Sequence, residues 1–309
     1  MRDSYGRPFL NLRVSITQRC NLNCSYCHGE GQLKSSLEMS PQEIAEIVRA
    51  AAELGANRIK ITGGEPLVRS DVPLILRQIS SVPYIKDLSL VTNGTLLTDE
   101  LAEELKREGL RRLNINIPSI EPKTYARLTG GDLSKAIRGV EAAKKAGLYP
   151  IKINMVALAG QNEAHVDSMI EFARANKAIL QIIELEPLHI HHDYYREHHL
   201  DLENIERKIA DSAKRVKSRE HMQGRKIYSL PGVDVEIVRP VENTGFCLHC
   251  TRVRLTSDGR LKLCLMTNDA LVDLLIILRS RGTANELRAA MTEAIKARKP
   301  FYVGASDPC

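Results

Sequence analysis

The chain has 309 residues, 43% of them hydrophobic, which is enough for a sizeable core in one large α/β domain or two ordinary ones. No apolar run reaches the length of a membrane span and the polar start lacks a secretory leader, so a cytoplasmic protein is expected. The 44 basic and 38 acidic residues leave a net charge of +6 without a dense basic tract, which argues against nucleic acid and is compatible with an anionic substrate.

Residues 12–17 (LRVSIT) read as a first strand that runs directly into three cysteines. Ser40, Pro41 and Glu43 form a helix start, with Pro at the first position and Glu three residues after the Ser cap. That helix runs to about residue 54, where Gly55 stops it. Residues 57–62 form the next strand, broken by Gly63 and Gly64. A helix over 71–80, a strand over 87–92, a helix over 98–109 and a strand over 111–117 follow. Then come a helix over 134–147, a strand over 149–157, a helix over 165–176 and a sixth strand over 179–185. Six strands alternating with helices predict an α/β fold with right-handed crossovers, an incomplete (β/α)6 TIM-type barrel. Chemistry in such barrels sits at the C-terminal strand ends, where the first cysteines, residues 63–66 and Asn93 fall.

The pattern changes after residue 187. His189, His191, His192, His198 and His199 crowd a polar stretch that reads as solvated or partner-facing, with no site assigned. A charged helix over 202–218 and hairpin-like runs at 226–230 and 233–238 precede a second cysteine group. This predicts a partial barrel over 1–200 and a C-terminal extension over 201–309.

Cys20, Cys24 and Cys27 are spaced C-x3-C-x2-C; Cys247 and Cys250 form C-x2-C, and Cys264 follows after thirteen intervening residues. In a reducing compartment such triplets read as metal or cluster ligands rather than as a disulfide framework. Three thiolates can hold three irons of a [4Fe–4S] cubane and leave the fourth open to chelate an amine and a carboxylate. Zinc competes at both groups, with His28 as fourth ligand at the first and His249 or Cys309 at the second. The stretch from Arg252 to Leu263 reads as a hairpin that returns Cys264 to the C-x2-C pair. Arg252 and Arg254 alternate on one strand and so share a face. Two guanidiniums there suit a phosphate-bearing ligand; a solvated strand face is the other reading.

The first cysteine group, with Tyr26 before its third cysteine and Gly-Gly-Glu-Pro at 63–66, resembles the radical S-adenosylmethionine superfamily. FCLHCTRVRLTSDGRLKLCL at 246–265, GRPFLNLRVSITQRCNLNCSYC at 6–27 and RIKITGGEPLVR at 58–69 resemble the GTP 3′,8-cyclase (MoaA) family in its archaeal form. The likeness covers nearly the whole chain. It implies two [4Fe–4S] clusters, the second of which makes 201–309 a C-terminal iron–sulfur extension. One, on Cys20, Cys24 and Cys27, would cleave S-adenosylmethionine to a 5′-deoxyadenosyl radical. The other, on Cys247, Cys250 and Cys264, would bind the guanine of GTP through an open iron. The radical would take hydrogen from ribose C3′, and the carbon radical would attack C8 to give 3′,8-cyclo-7,8-dihydro-GTP. This lyase reaction opens molybdenum-cofactor synthesis.

The same likeness makes Tyr26, Gly64 and Asn116 contacts of S-adenosylmethionine, with the 63–66 loop holding its amino group. It makes Arg13, Lys60, Lys152, Arg252 and Arg254 contacts of GTP. No side chain is implied as a catalytic acid or base. The implied partners are a reductant protein and a downstream cyclic pyranopterin monophosphate synthase; a homodimer is an expectation of the same kind. Read from the residues alone, Lys152 could be an exposed strand residue.

Four departures from the family pattern stand out. Lys60 sits where many relatives carry Arg, which keeps the charge and loses the bidentate fork. Asn116-Ile117-Pro118 replaces Ser-Leu-Asp, Glu186 replaces an apolar residue, and Gly304-Ala305-Ser306-Asp307-Pro308-Cys309 replaces a Gly-Gly ending. Two other functions compete. A peptide-modifying radical enzyme with an auxiliary cluster usually carries more C-terminal cysteines, and an iron–sulfur or zinc scaffold leaves the Gly-Gly-Glu-Pro run without a purpose.

Overall fold

The computed structural model describes residues 1–303, so Cys309 and the rest of the 304–309 ending lie outside the described residues. The first part alternates strand and helix: β1 (Asn11–Ser15), α1 (Pro41–Glu53), β2 (Arg58–Thr62), α2 (Val72–Ser80), β3 (Asp87–Thr92), α3 (Asp99–Arg107) and β4 (Arg112–Asn116). It continues with α4 (Pro122–Thr129), α5 (Leu133–Lys145), β5 (Ile151–Ala157), α6 (Val166–Ala175) and β6 (Ile179–Glu184). The cap at Ser40 is a full capping box, with Glu43 reaching back to the Ser40 N–H. Helix α4 was not foreseen from the sequence. It lies in the β4–α5 connection, where the Glu121 carboxylate accepts from Lys123 N at 3.0 Å and Pro122 takes the first position.

The remaining elements are α7 (His192–His198), α8 (Glu203–Ser212), β7 (Arg215–Arg219), β8 (Arg225–Leu230), β9 (Val233–Val238), α9 (Thr244–Leu248), β10 (Arg252–Leu255), β11 (Arg260–Lys262), β12 (Val272–Asp273), α10 (Leu274–Arg279) and α11 (Ala284–Lys296). The helix expected over 202–218 stops at Ser212, because residues 215–219 pair antiparallel with β8 instead. Among the described residues no helix is long and apolar enough to cross a membrane.

All the strands join one sheet in the order β12-β11-β10-β1-β2-β3-β4-β5-β6-β9-β8-β7. The six foreseen strands are parallel, but they are not the whole barrel wall. β10 adds parallel to β1 and β9 adds parallel to β6, covering both edges that six strands alone would leave unpaired. The sheet therefore runs through the boundary expected near residue 200.

Every second residue of the central strands faces the surrounding helices. Leu12, Val14, Ile59, Ile61, Leu113, Ile115, Ile151, Ile153, Leu180 and Ile182 are fully buried there, against α-helical side chains such as Ile44, Ile47 and Val48. The alternate residues face the lumen and are polar: Arg13, Lys60, Asn114, Lys152, Asn154, Gln181, Arg252 and Arg254. Parallel strands covered on both faces normally read as continuous apolar runs. Here the period of two marks a lumen built to hold a polar ligand.

Candidate active site

The first cysteines lie on the loop leaving β1, and the turn after β2 holds that loop down. Gly64 N donates to Thr17 O at 2.9 Å and Glu65 N donates to Arg19 O at 2.8 Å. A Cβ on Gly64 would stand 2.3 Å from Arg19 O, so this position accepts only glycine. Asn23 N and Ser25 N donate to Thr129 O and Leu128 O at the end of α4, both at 3.0 Å. The Glu65 carboxylate is buried and accepts from Leu67 N (3.0 Å), Thr92 Oγ1 (2.7 Å) and Asn93 N (2.7 Å). A carboxylate has about four acceptor positions, so one remains, on Oε2.

Cys20, Cys24 and Cys27 all line the cavity. Burial pushes the Cys24 thiol up to about 12, and the neighbouring Cys27 and Cys20 thiolates add to it. Bound iron relieves that mutual repulsion, so the donor set suits a cationic cluster. Among the described residues no three His, Cys, Asp or Glu side chains converge on a single metal ion. A cubane takes each thiolate on a different iron and asks for thiols spaced around it. His28, the alternative fourth ligand, has one ring nitrogen engaged in a hydrogen bond and the other near a carboxylate. Nδ1 accepts from Glu30 N at 3.0 Å, and Nε2 faces Glu186 Oε2 at 3.6 Å.

The histidine stretch is not simply solvated, contrary to its reading from the sequence. His198 is buried, with Nδ1 2.9 Å from Ala159 O, and Tyr194 Oη lies 2.8 Å from Ser25 Oγ on the cysteine loop. Ile190, Tyr194 and Tyr195 pack with Tyr26 on Leu128, Leu158 and Leu185, so α7 packs against the first cysteine loop at Tyr26. His191 and His192 remain exposed.

The second group is assembled by α9 and the β10–β11 hairpin. Asn243 caps α9 by accepting from Phe246 N at 2.9 Å. The hairpin pairs Arg254 with Lys262 and returns Cys264 to the cavity beside Cys247 and Cys250. Burial pushes the Cys264 thiol up, the Met266 N–H opposes this, and the Cys250 and Cys247 thiolates add to it. His249 is absent from the cavity wall, and its Nδ1 lies 2.8 Å from Gly245 O. Arg7 donates to Cys247 O at 2.9 Å and Arg298 donates to Arg252 O at 3.2 Å. Both arginines share the buried Asp3 carboxylate, each at 2.8 Å.

One cavity of about 280 Å³ is lined by both cysteine groups and by Tyr26, Gly64, Asn116, Arg13, Lys60, Lys152, Arg252 and Arg254. Ten cationic side chains face it, adding Arg7, Arg112, Arg219, Arg225 and Lys299 to the five foreseen, against four carboxylates, Glu30, Glu65, Glu184 and Glu186. Such a lumen attracts a multiply charged anion.

The carboxylates partition the cations. Glu30 accepts from Arg13, from Arg254 Nη1 at 2.6 Å and from Thr62 Oγ1 at 2.8 Å. Glu236, fully buried, pairs with Lys152, with Arg219 at 3.1 Å and with Arg225 at 3.3 Å. Lys152 is thus buried in the wall rather than exposed on its strand; burial lowers it to about 8, with Glu236 opposing. Lys60 donates to Asn114 Oδ1 at 2.8 Å, and burial followed by Arg112 and Arg13 holds it well below the usual lysine range. Arg252 has no hydrogen-bond or ion-pair partner for its guanidinium among the described residues. Burial, with Arg254, Arg13 and Arg225 close by, pushes it down to about 9. Asn116 Oδ1 accepts from Asn154 Nδ2 at 2.9 Å, and Asn154 Oδ1 accepts from Asn114 Nδ2 at 3.2 Å, an amide row across β4 and β5.

The sequence reading missed Glu30, Arg112, Asn154, Gln181, Arg219, Arg225 and Glu236. The signal for most of them was the polar residue at every second position of strands otherwise made of Ile, Leu and Val.

The model of the Radical SAM superfamily matches residues 14–173, and the model described as Molybdenum Cofactor Synthesis C matches residues 178–303. A curated protein named "Probable GTP 3′,8-cyclase" from Methanothermobacter marburgensis is 44% identical over 304 residues, covering 98% of this chain and 99% of its own. One of the same name from Methanococcus vannielii is 45% identical over 302 residues, covering 97% and 99%. The crystal structure of Streptococcus suis SuiB bound to S-adenosylmethionine superposes with a TM-score of 0.65 at 17% identity, covering 92% of this chain and 68% of that one, and so shares the fold. The chain therefore belongs to the radical S-adenosylmethionine superfamily, whose members imply a [4Fe–4S] cluster and S-adenosylmethionine, and within it to the family of GTP 3′,8-cyclases.

Proposed function

We propose that the chain converts GTP to 3′,8-cyclo-7,8-dihydro-GTP as the first step of molybdenum-cofactor synthesis. The observation that carries this is one strongly cationic lumen shared by two three-thiol groups. Cys20, Cys24 and Cys27 hold the cluster beside S-adenosylmethionine, and Cys247, Cys250 and Cys264 hold a second [4Fe–4S] cluster on the nucleotide side. When bound, the first cluster supplies the electron that breaks a C–S bond of S-adenosylmethionine and releases the 5′-deoxyadenosyl radical.

The chain's own residues bind and orient. Tyr26, Gly64 and Asn116 seat S-adenosylmethionine, and the remaining Glu65 acceptor receives its ammonium. Arg252 and Lys60, which have no carboxylate partner, take the triphosphate together with the open edges of Arg13 and Arg254. Lys152 gains a stronger hold on its proton as the anion enters. Helix α7 braces the first cysteine loop by packing Tyr194 and Tyr195 with Tyr26. The hydrogen atom of C3′ passes to the 5′-deoxyadenosyl radical, C3′ bonds to C8, and the base takes one electron and one proton. The product therefore has the mass of GTP. A reductant protein supplies the electrons, and a cyclic pyranopterin monophosphate synthase takes the product.

Replacing Arg252 with Ala removes a charge-assisted contact worth about 1.5–3 kcal/mol, so GTP affinity should fall by about 10- to 150-fold. Equilibrium dialysis with the unreduced protein checks this, and iron content should not change. The function is tested anaerobically, with iron and sulfide restored and with reductant, S-adenosylmethionine and GTP present. 5′-Deoxyadenosine and a new compound of GTP mass should appear together, and only with GTP. 5′-Deoxyadenosine with unaltered GTP would assign the lumen to another substrate.

A further inference from the structure

Glu30 has a place in this lumen that the likeness to relatives did not supply. It lies three residues after Cys27, in a turn whose residues Gly29, Glu30 and Gly31 all have left-handed backbone (φ 53°, 56° and 62°). Glycine adopts that conformation freely, whereas glutamate does so only where its surroundings hold it. The holding contacts are those of its carboxylate. The side chain is 7% exposed and takes donors from β1 (Arg13), β2 (Thr62) and β10 (Arg254).

The turn also touches the other cysteine group. A Cβ on Gly31 would stand 2.6 Å from Leu265 O, one residue after Cys264. A single three-residue turn is thus continuous with the first cysteine loop and wedged against the second. The charged edges that Glu30 leaves open complete the picture. Arg13 Nε is buried without a partner, and Arg254 uses only Nη1. Both arginines line the cavity, and Glu30 holds each through one guanidinium nitrogen, Nη2 of Arg13 and Nη1 of Arg254, which leaves Arg13 Nη1 and Arg254 Nη2 without a protein partner among the described residues.

We propose that Glu30 is a positioning residue: it fixes Arg13 and Arg254 from behind, so that their open edges receive the triphosphate in one register relative to both cysteine groups. This rests on the nucleotide reading above. Glutamine at this position would offer one acceptor and turn an amide N–H₂ toward a guanidinium, so one arginine would be released. Removing the Glu30 charge also removes a repulsion of the incoming anion. Binding should therefore hold or tighten while turnover falls, since a displacement of about 1 Å at the reacting centre can cost on the order of 100-fold. A salt bridge that merely stabilised the fold would not split the two.

The test compares wild type, E30Q and E30D, all loaded with iron and sulfide. E30Q should keep the wild-type iron content and bind GTP and inorganic triphosphate, measured unreduced by calorimetry, no more weakly than wild type. Its kcat for the cyclised product should fall by about 30-fold or more. E30D keeps the charge one methylene short and should recover part of that loss. If E30Q does not fold, E30D carries the test, with lowered kcat at unchanged GTP affinity expected. A kcat within threefold of wild type in the folded variant, weaker triphosphate binding, or loss of iron in both variants would overturn the assignment. A wild type that binds triphosphate but forms no cyclised product would instead sink the nucleotide reading, and triphosphate affinity would then decide the role of Glu30 alone.

Discussion

Gly64→Ala is expected to empty the first cysteine loop of iron while leaving most of the fold in place. The added Cβ would lie 2.3 Å from Arg19 O and 2.7 Å from Gln18 O. Both obstacles are backbone atoms of the loop that carries Cys20, so no side chain can swing aside. Relief requires the β2 turn and the cysteine loop to separate, which breaks the Gly64–Thr17 and Glu65–Arg19 bonds (2.9 and 2.8 Å) that register one loop on the other. The second cysteine group rests on α9 and the β10–β11 hairpin and is untouched by this change. With the two cubanes of the proposed function, iron per chain should fall to about half that of wild type. S-adenosylmethionine cleavage should be lost and far-ultraviolet circular dichroism should be retained. Full iron with full cleavage would show that the two loops are not registered through this glycine.

The second large effect concerns stability. Glu236→Leu would leave Lys152, Arg219 and Arg225 without the one carboxylate they share. Removing one member of a buried ion cluster leaves uncompensated charge, a loss of about 3–5 kcal/mol, readable in urea unfolding. The same group gives wild type a dependence on acid. Burial alone would raise the Glu236 carboxyl, but Arg225, Lys152 and Arg219 hold it at about 2, against an ordinary value of 4.5. A carboxyl depressed in the folded state contributes its full stability above the unfolded value and loses it as pH falls toward the folded one. Wild-type stability should therefore decline between about pH 4.5 and 2, and the Glu236→Leu curve should be flatter across that window.

Much of the barrel was legible in the sequence because its signals are local. Ser40, Pro41 and Glu43 mark the start of α1 through contacts within four residues, and strands such as residues 87–92 stand out as short segments ended by Asn93 and Gly94. The cysteine spacings are local as well, and the hairpin that returns Cys264 was readable from the Ser257, Asp258 and Gly259 turn. What escaped depends on distant pairing. Residues 233–238 look like one arm of a hairpin, and nothing local says that they also extend the sheet beside β6. Residues 215–219 continue a helical charge pattern, yet they pair with β8 because an open sheet edge is available.

The lumen shows the same division. Arg252 and Arg254 could be placed on one face by alternation, but their placement beside Arg13 needs β10 to lie against β1. Lys152 could not be told from an exposed lysine until Glu236 came alongside from β9. Glu30, set between two glycines in a loop, had no periodic neighbour to reveal it.

The central claim is that S-adenosylmethionine and the nucleotide meet in one lumen between the two cysteine groups. GTP carrying deuterium at ribose C3′ tests it most directly, with the 5′-deoxyadenosine analysed by mass spectrometry after anaerobic turnover. Direct transfer across the lumen predicts one deuterium in the 5′-deoxyadenosine and none left at C3′ of the cyclised product. Unlabelled 5′-deoxyadenosine formed alongside GTP that keeps its deuterium would contradict the account.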